Sequence, residues 1–300
     1  MSIYKNWMSY LKDDVKIIDV VMPSAHNACS YELKFMGKCQ NGNLYKQYEY
    51  GIRHFCIRLD TDKNGDIIVC HGLSKGGKFR NDLECMKKML EENNSEFFIF
   101  DIREYYPQKI GPFNFICRAD KKQMNEMLEE YIKPSELAYC DFDDINEVTV
   151  GDIRKSGKRY ILYNFEKAYN YSVDCEYDFP WDKRINGLKA EGFAKEVVKL
   201  FDLGKPTGLN WFQIQQTPNL GTEIGLCKPS KLDVKLRPYF ESIINQVENN
   251  EKYLKRANII ASDFMTEDYM KSKSILRLNI AKNNIQHDKA EEFMRKLTTE

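Results

Sequence analysis

The 300-residue chain has no excess of either charge, since 45 Lys and Arg balance 45 Asp and Glu. That balance excludes the broad basic footprint of a nucleic-acid binder. The chain also lacks any run near the ~18 consecutive apolar residues that a membrane span needs. Its first residues, MSIYKNWMSYLKDDVK, contain no apolar segment followed by a small-residue cleavage site. The expectation is a protein of the cytoplasm, or one peripheral to a membrane, with export by a route that needs no visible signal left open. The nine cysteines are odd in number and form neither a CxxC pair nor a zinc-type spacing. Cys56, Cys70 and Cys85 lie inside apolar patterns, which reads as buried free thiols in a reducing compartment. No repeat or low-complexity tract occurs. Histidine is scarce, with four in the whole chain, so the place of each one is informative.

What is present is a series of short apolar segments. Residues 16–22 (KIIDVVM), 52–59 (IRHFCIRL), 67–70 (IIVC), 97–102 (FFIFDI), 160–163, 211–216 and 259–262 read as strands. A turn at Lys63-Asn64-Gly65-Asp66 separates the second and third. The segment FFIFDI is nearly all apolar, as a strand covered on both faces should be. Helical periodicity fills 81–92, 124–132, 193–200 and 232–249. Strands alternating with helical segments predict a parallel α/β sheet. With 42% hydrophobic residues, one domain over residues 1–300 is expected, closing as a (β/α)8 TIM-type barrel. An open doubly wound sheet is the alternative. Residues 166–186, with DFPWD at 178–182, read as an excursion from the barrel.

Polar residues recur where these strands end. His26 and Asn27 follow the first, in VMPSAHNACSY, and Arg58, Asp60 and Asp62 close the second. His71 closes the third; Asp101, Arg103 and Glu104 the fourth; Asp263 the last. In a parallel barrel the strand ends share one face, where active sites form. Two histidines can serve one reaction as base and acid. Arginine offers a planar, permanently charged fork for phosphate oxygens, and a carboxylate can orient a histidine. The set suits displacement at a phosphodiester. Each residue also has a bland reading. His54 reads as packed and structural, and His287 as surface. Arg58 can pair with Asp60, and Asp263 can cap a helix. Trp211 reads as core. Asn164 and Gln213 are candidates to meet substrate hydroxyls. Trp181 is a candidate for a lipid interface.

The stretches PSAHNACSY, GIRHFCIRLD, the strand ending in HG, and NSEFFIFDIRE resemble the X domain of phosphatidylinositol-specific phospholipase C. NWFQIQQTP and ANIIASDF resemble its last strands more loosely. The resemblance implies a distorted or incompletely closed TIM barrel that cleaves a phosphoinositide at a membrane surface. His26 then corresponds to the general base and His71 to the general acid. Arg58 corresponds to the phosphate-binding arginine of metal-independent bacterial members, and Asp263 to the carboxylate that holds the base. Arg103 stands where the bacterial type has lysine. Asn27 stands where the bacterial type has aspartate and the calcium-dependent type asparagine, and Cys56 where both have an acidic residue. Arg58 and Arg103 both stand where the calcium-dependent type has acidic metal ligands; two guanidinium groups there disfavour a hard dication, so the expectation is catalysis with no metal and no cofactor. A metal-dependent glycerophosphodiester or sphingomyelin phosphodiesterase using Asp60, Asp62 and Glu104 stays open, as does a catalytically weak phosphoinositide-binding module.

Overall fold

The computed structural model describes residues 2–299 apart from 73, 105–107, 111–112, 116–118, 165–166, 175–176 and 218–227, with 104, 108–110 and 113–115 described as backbone alone. Cys117, Cys175 and Cys227 fall outside the described residues. The strands, in chain order, are β1 (Met22–Ala25), β2 (His54–Thr61), β3 (Ile67–His71), β4 (Ser74–Lys78), β5 (Phe98–Glu104), β6 (Gln108–Ile110), β7 (Phe113–Phe115), β8 (Tyr160–Tyr163), β9 (Tyr177–Asp178), β10 (Leu209–Gln213) and β11 (Ile259–Ser262).

Seven of them run parallel, in the order β9-β10-β11-β1-β2-β5-β8. No pairing joins β8 to β9 among the described residues, so the expected eightfold barrel is a seven-strand, incompletely closed one. The third predicted strand, β3, is not a barrel stave. It returns antiparallel along β2, with Leu59 opposite Val69. Five residues separate the two strands. A parallel crossover needs a dozen or more, so only a hairpin can form; Gly65 at φ +84° makes its turn.

The first predicted strand also shifts. Pairing with the sheet begins at Met22; Lys16 makes an isolated bridge to Thr149, and residues 17–20 form a turn and a bend. Pro23 lies inside β1, but the β1–β2 register starts one residue later, at Ser24 opposite His54, and its carbonyl accepts from Arg53 N at 3.1 Å. A proline is tolerated at such a ladder start.

Period-two alternation sorts the side chains. Met22, Cys56, Ile99, Ile161, Tyr163, Leu209, Trp211, Ile259 and Ala261 fill the barrel interior, which the N-terminal Trp7 and Leu11 continue below. Phe55, Ile57, Phe98, Phe100, Leu162, Phe212 and Ile260 point outward. There they meet helix residues Leu83, Met86, Leu236, Phe240 and Ile275. The helices Arg80–Glu92, Lys121–Ile132 and Pro229–Glu248 fall close to the predicted periodic segments. The predicted helix at 193–200 is broken into Ala190–Glu196, a 3-10 turn and Leu200–Leu203. No helix among the described residues is long and apolar enough to cross a membrane.

Candidate active site

The inward parity that buries Met22, Cys56, Ile99 and Ala261 continues upward to the strand ends. It brings Ser24 and His26, then Arg58, Asp101 and Arg103, Gln213 and Asp263 to one mouth. Two chain reversals complete the set. Asn27 at φ 46° and Phe264 at φ 50° turn the chain directly after β1 and β11; asparagine is among the residues that tolerate that region. His71 reaches the mouth because the β2–β3 hairpin rises above it and β3 descends again.

His26 Nδ1 lies 2.8 Å from Asp263 Oδ1. Asp263 therefore binds the histidine and caps no helix; the next helix starts at Met270. The Asn27 amide nitrogen bridges the two rings, 3.1 Å from His26 Nε2 and 3.2 Å from His71 Nε2. His71 Nδ1 lies 3.0 Å from the Gly37 carbonyl. An amide NH₂ only donates, so both Nε2 atoms carry lone pairs and both Nδ1 atoms carry protons. The rings stand edge to face, 6.1 Å apart. Burial, then the charges of Arg58 and Arg103, hold His26 well below the usual imidazole range. Burial, then Arg58 and His26, push His71 down to about 3. Burial lifts the Asp263 carboxyl, Asp233 adds to this, and Lys271 opposes it. His26 is thus a neutral ring whose Nε2 lone pair, met by the Asn27 amide, faces the mouth, as a base requires.

Arg58 and Arg103 are register partners on adjacent strands, so both guanidinium groups stand on the inner face. Arg103 is held from below. Its Nε donates to Asp101 Oδ2 at 2.8 Å, and its guanidinium covers the Trp211 ring at 4.3 Å. A directed chain supports Asp101. Trp211 Nε1 donates to Ser24 Oγ at 3.3 Å, and Ser24 Oγ meets His54 Nδ1 at 2.7 Å. His54 Nε2 meets Tyr177 OH at 2.9 Å, and that hydroxyl donates to Asp101 Oδ2 at 3.3 Å. The Tyr177 hydroxyl has one proton and gives it to Asp101, so it accepts from His54 Nε2–H, and a neutral His54 then accepts from Ser24 at Nδ1. Burial and the Arg103 charge keep His54 neutral.

Of the expected site residues, His26, Asn27, Arg58, His71, Arg103 and Asp263 converge. Gln213 sits at the inner end of β10, and its Oε1 accepts from Gln215 Nε2. Asn164 is engaged by backbone, donating to the Ile102 carbonyl at 2.7 Å and accepting from Ala168 N at 2.9 Å. Trp181 is 46% exposed, beside Phe179, whose ring packs 5.1 Å from Trp211. His54 is structural, Trp211 is core, and His287 is exposed, each as expected. Asp60 pairs with Lys75 at 2.8 Å, and Asp62 caps the hairpin turn through Asn64 N and Asp66 N. The Glu104 side chain lies outside the described residues. The sequence reading missed Cys39, Tyr177, Lys271 and the support role of Ser24. Inward parity along β1 was a usable signal for Ser24. Cys39, in a loop, and Lys271, on a helix, gave none.

The seven-strand, incompletely closed barrel has the TIM-type fold of solved bacterial phosphatidylinositol-specific phospholipases C. The solved structure of that enzyme from Listeria monocytogenes superposes with a TM-score of 0.66 at 17% identity, covering 92% of this chain and 98% of that one. A double mutant of the S. aureus enzyme gives 0.65 at 16% identity, covering 95% and 98%. In sequence, the chain resembles the 1-phosphatidylinositol phosphodiesterase of Listeria monocytogenes, 25% identical over 174 residues. That match covers 53% of this chain and spans about half of the relative, 48% of its length. No protein-family model matches the chain.

Proposed function

We propose that this protein is a phospholipase C-type phosphodiesterase that cleaves phosphatidylinositol at a membrane surface without a metal ion. The observation that carries the reading is the pairing of His26 and His71, their Nε2 atoms facing one amide nitrogen. His26 Nε2 takes the proton of the inositol 2-hydroxyl, and that oxygen attacks phosphorus. Arg58 and Arg103 neutralise the equatorial oxygens as charge develops. The phosphorus–oxygen bond to diacylglycerol breaks, and the leaving oxygen takes a proton from His71 Nε2. The bound phosphodiester anion offsets the Arg58 charge and so raises His71 toward the protonated form that this step needs. The product is inositol 1,2-cyclic phosphate. Water opens it when the two histidines exchange roles.

The guanidinium pair supports the metal-free form, because a hard dication needs several oxygen ligands and Arg58 and Arg103 offer none. Exposed apolar side chains near the mouth suit a bilayer substrate. Phe35 is 70% and Met36 44% exposed, on the turn whose Gly37 carbonyl holds His71.

The test is phosphorus NMR of phosphatidylinositol vesicles incubated with the protein, with and without EGTA. A cyclic phosphate signal that survives the chelator is expected, falling ~10²–10⁴-fold in His26→Ala and in His71→Ala. Variants as active as the parent would overturn the reading, as would binding to vesicles with no product.

A further inference from the structure

Cys39 is 1% exposed and takes no part in the steps above. It is not isolated. A ring nitrogen of His26, the Cys39 sulfur and an Asp263 oxygen all lie within 4.8 Å of one another. Cys39 Sγ is also 3.6 Å from Asn27 Nδ2 and 3.7 Å from His71 Nδ1. Asn27 is 3% exposed, and its Oδ1 has no hydrogen-bond partner. Turning that amide would bring an oxygen ligand to the same place. Thiolate, imidazole and carboxylate are the donor types that zinc takes in tetrahedral sites, whereas calcium takes only the carboxylate of the three. Ligand atoms at zinc bond lengths sit about 3.3–3.6 Å apart in a tetrahedron, so the 2.8 Å His26–Asp263 contact must open and the Cys39 sulfur must adjust to it. His71, which is partly exposed, lies beside Cys39.

We propose that His26, Cys39 and Asp263 form an inhibitory site for Zn²⁺ or a similar borderline-soft dication. On binding, the Cys39 thiol loses its proton to solvent. The His26–Asp263 hydrogen bond opens to admit the ion. If the ion takes His26 Nε2, the lone pair that accepts the substrate proton is gone. If it takes Nδ1, the remaining ring proton moves to Nε2. Either way the base is lost. The inhibitory consequence rests on the proposed role of His26; the binding does not.

The experiment is a titration of the reduced, metal-free protein with Co²⁺, read in the ultraviolet and visible. A one-to-one thiolate-to-cobalt charge-transfer band is expected, displaced by Zn²⁺ and absent from Cys39→Ala. Asp263→Asn should weaken Co²⁺ binding ~10-fold or more. In the parent, imidazole proton NMR should show Zn²⁺ shifting the His26 ring signals and leaving those of His54 in place. This readout needs no variant to fold. A band that persists in Cys39→Ala, no band at all, or unmoved His26 signals would each overturn the site. Inhibition of phosphatidylinositol cleavage by Zn²⁺, reversed by EDTA, is the separate catalytic arm. A protein that binds Co²⁺ through Cys39 yet never cleaves the lipid would keep the metal site and discard the proposed reaction.

Discussion

At the scale of single residues, the mouth is defined by which ring nitrogen each hydrogen bond turns toward it. Asp263 holds the Nδ1 proton of His26 and so keeps Nε2 available; the Gly37 carbonyl does the same for His71. Asp263→Asn can offer its own N–H to Nδ1 and so stabilise the wrong tautomer. Turnover of phosphatidylinositol should fall ~10²–10⁴-fold with little change in KM. Arg58→Lys keeps the charge and loses the planar fork. A loss of ~10²-fold or more in kcat is expected from steady-state kinetics, comparable to removing one preorganised transition-state donor. A lysine variant as fast as the parent would reduce Arg58 to a generic positive charge.

At the scale of elements, two buried arrangements hold the barrel's parts in place. Arg53 at the foot of β2 is fully buried and bonds Glu96 Oε2 through Nε at 2.8 Å and Nη2 at 2.6 Å. Its remaining N–H groups reach the Tyr4, Tyr48 and Ile52 carbonyls, tying the N-terminal segment to the sheet. Glu96→Ala leaves that charge buried and unpaired. It should cost ~3–5 kcal/mol in urea unfolding. Asp82, 2% exposed in the first turn of the helix Arg80–Glu92, meets Cys29 and Tyr31 from the loop after β1. Burial pushes its carboxyl up to about 7. The folded protein then keeps a proton that the unfolded chain loses near the ordinary value of 3.8. Stability should decline as pH rises from about 4 to 7. Asp82→Asn should flatten that slope and should be more stable than the parent at pH 8. A parent and variant with the same pH dependence of the urea midpoint would contradict this.

At the scale of the whole molecule, the proposed reaction at a membrane surface, on a chain of zero formal net charge, predicts weakly salt-dependent docking on lipid through the exposed apolar side chains near the mouth. Phe35→Ala with Met36→Ala, and separately Trp181→Ala, should lower partitioning onto phosphatidylinositol vesicles several-fold by sedimentation. The rate on a soluble inositol phosphodiester should stay unchanged. The same scale separates what the chain order dictates from what the fold adds. Apolar runs such as FFIFDI and IIAS, the helical periodicities, and the polar residues directly after strands were legible in the sequence. Alternation and strand-end position are local properties, and they placed His26, Arg58, Arg103 and Asp263 on one face. Even the β3 hairpin was legible in principle, because five residues cannot make a parallel crossover. The seven parallel strands and the lack of a β8–β9 pairing among the described residues, the Trp211–Ser24–His54–Tyr177–Asp101 chain beneath Arg103, and Cys39 beside the base were decided only by the tertiary structure. Each depends on residues tens to hundreds of positions apart meeting across the barrel, and no local pattern records which of them will meet.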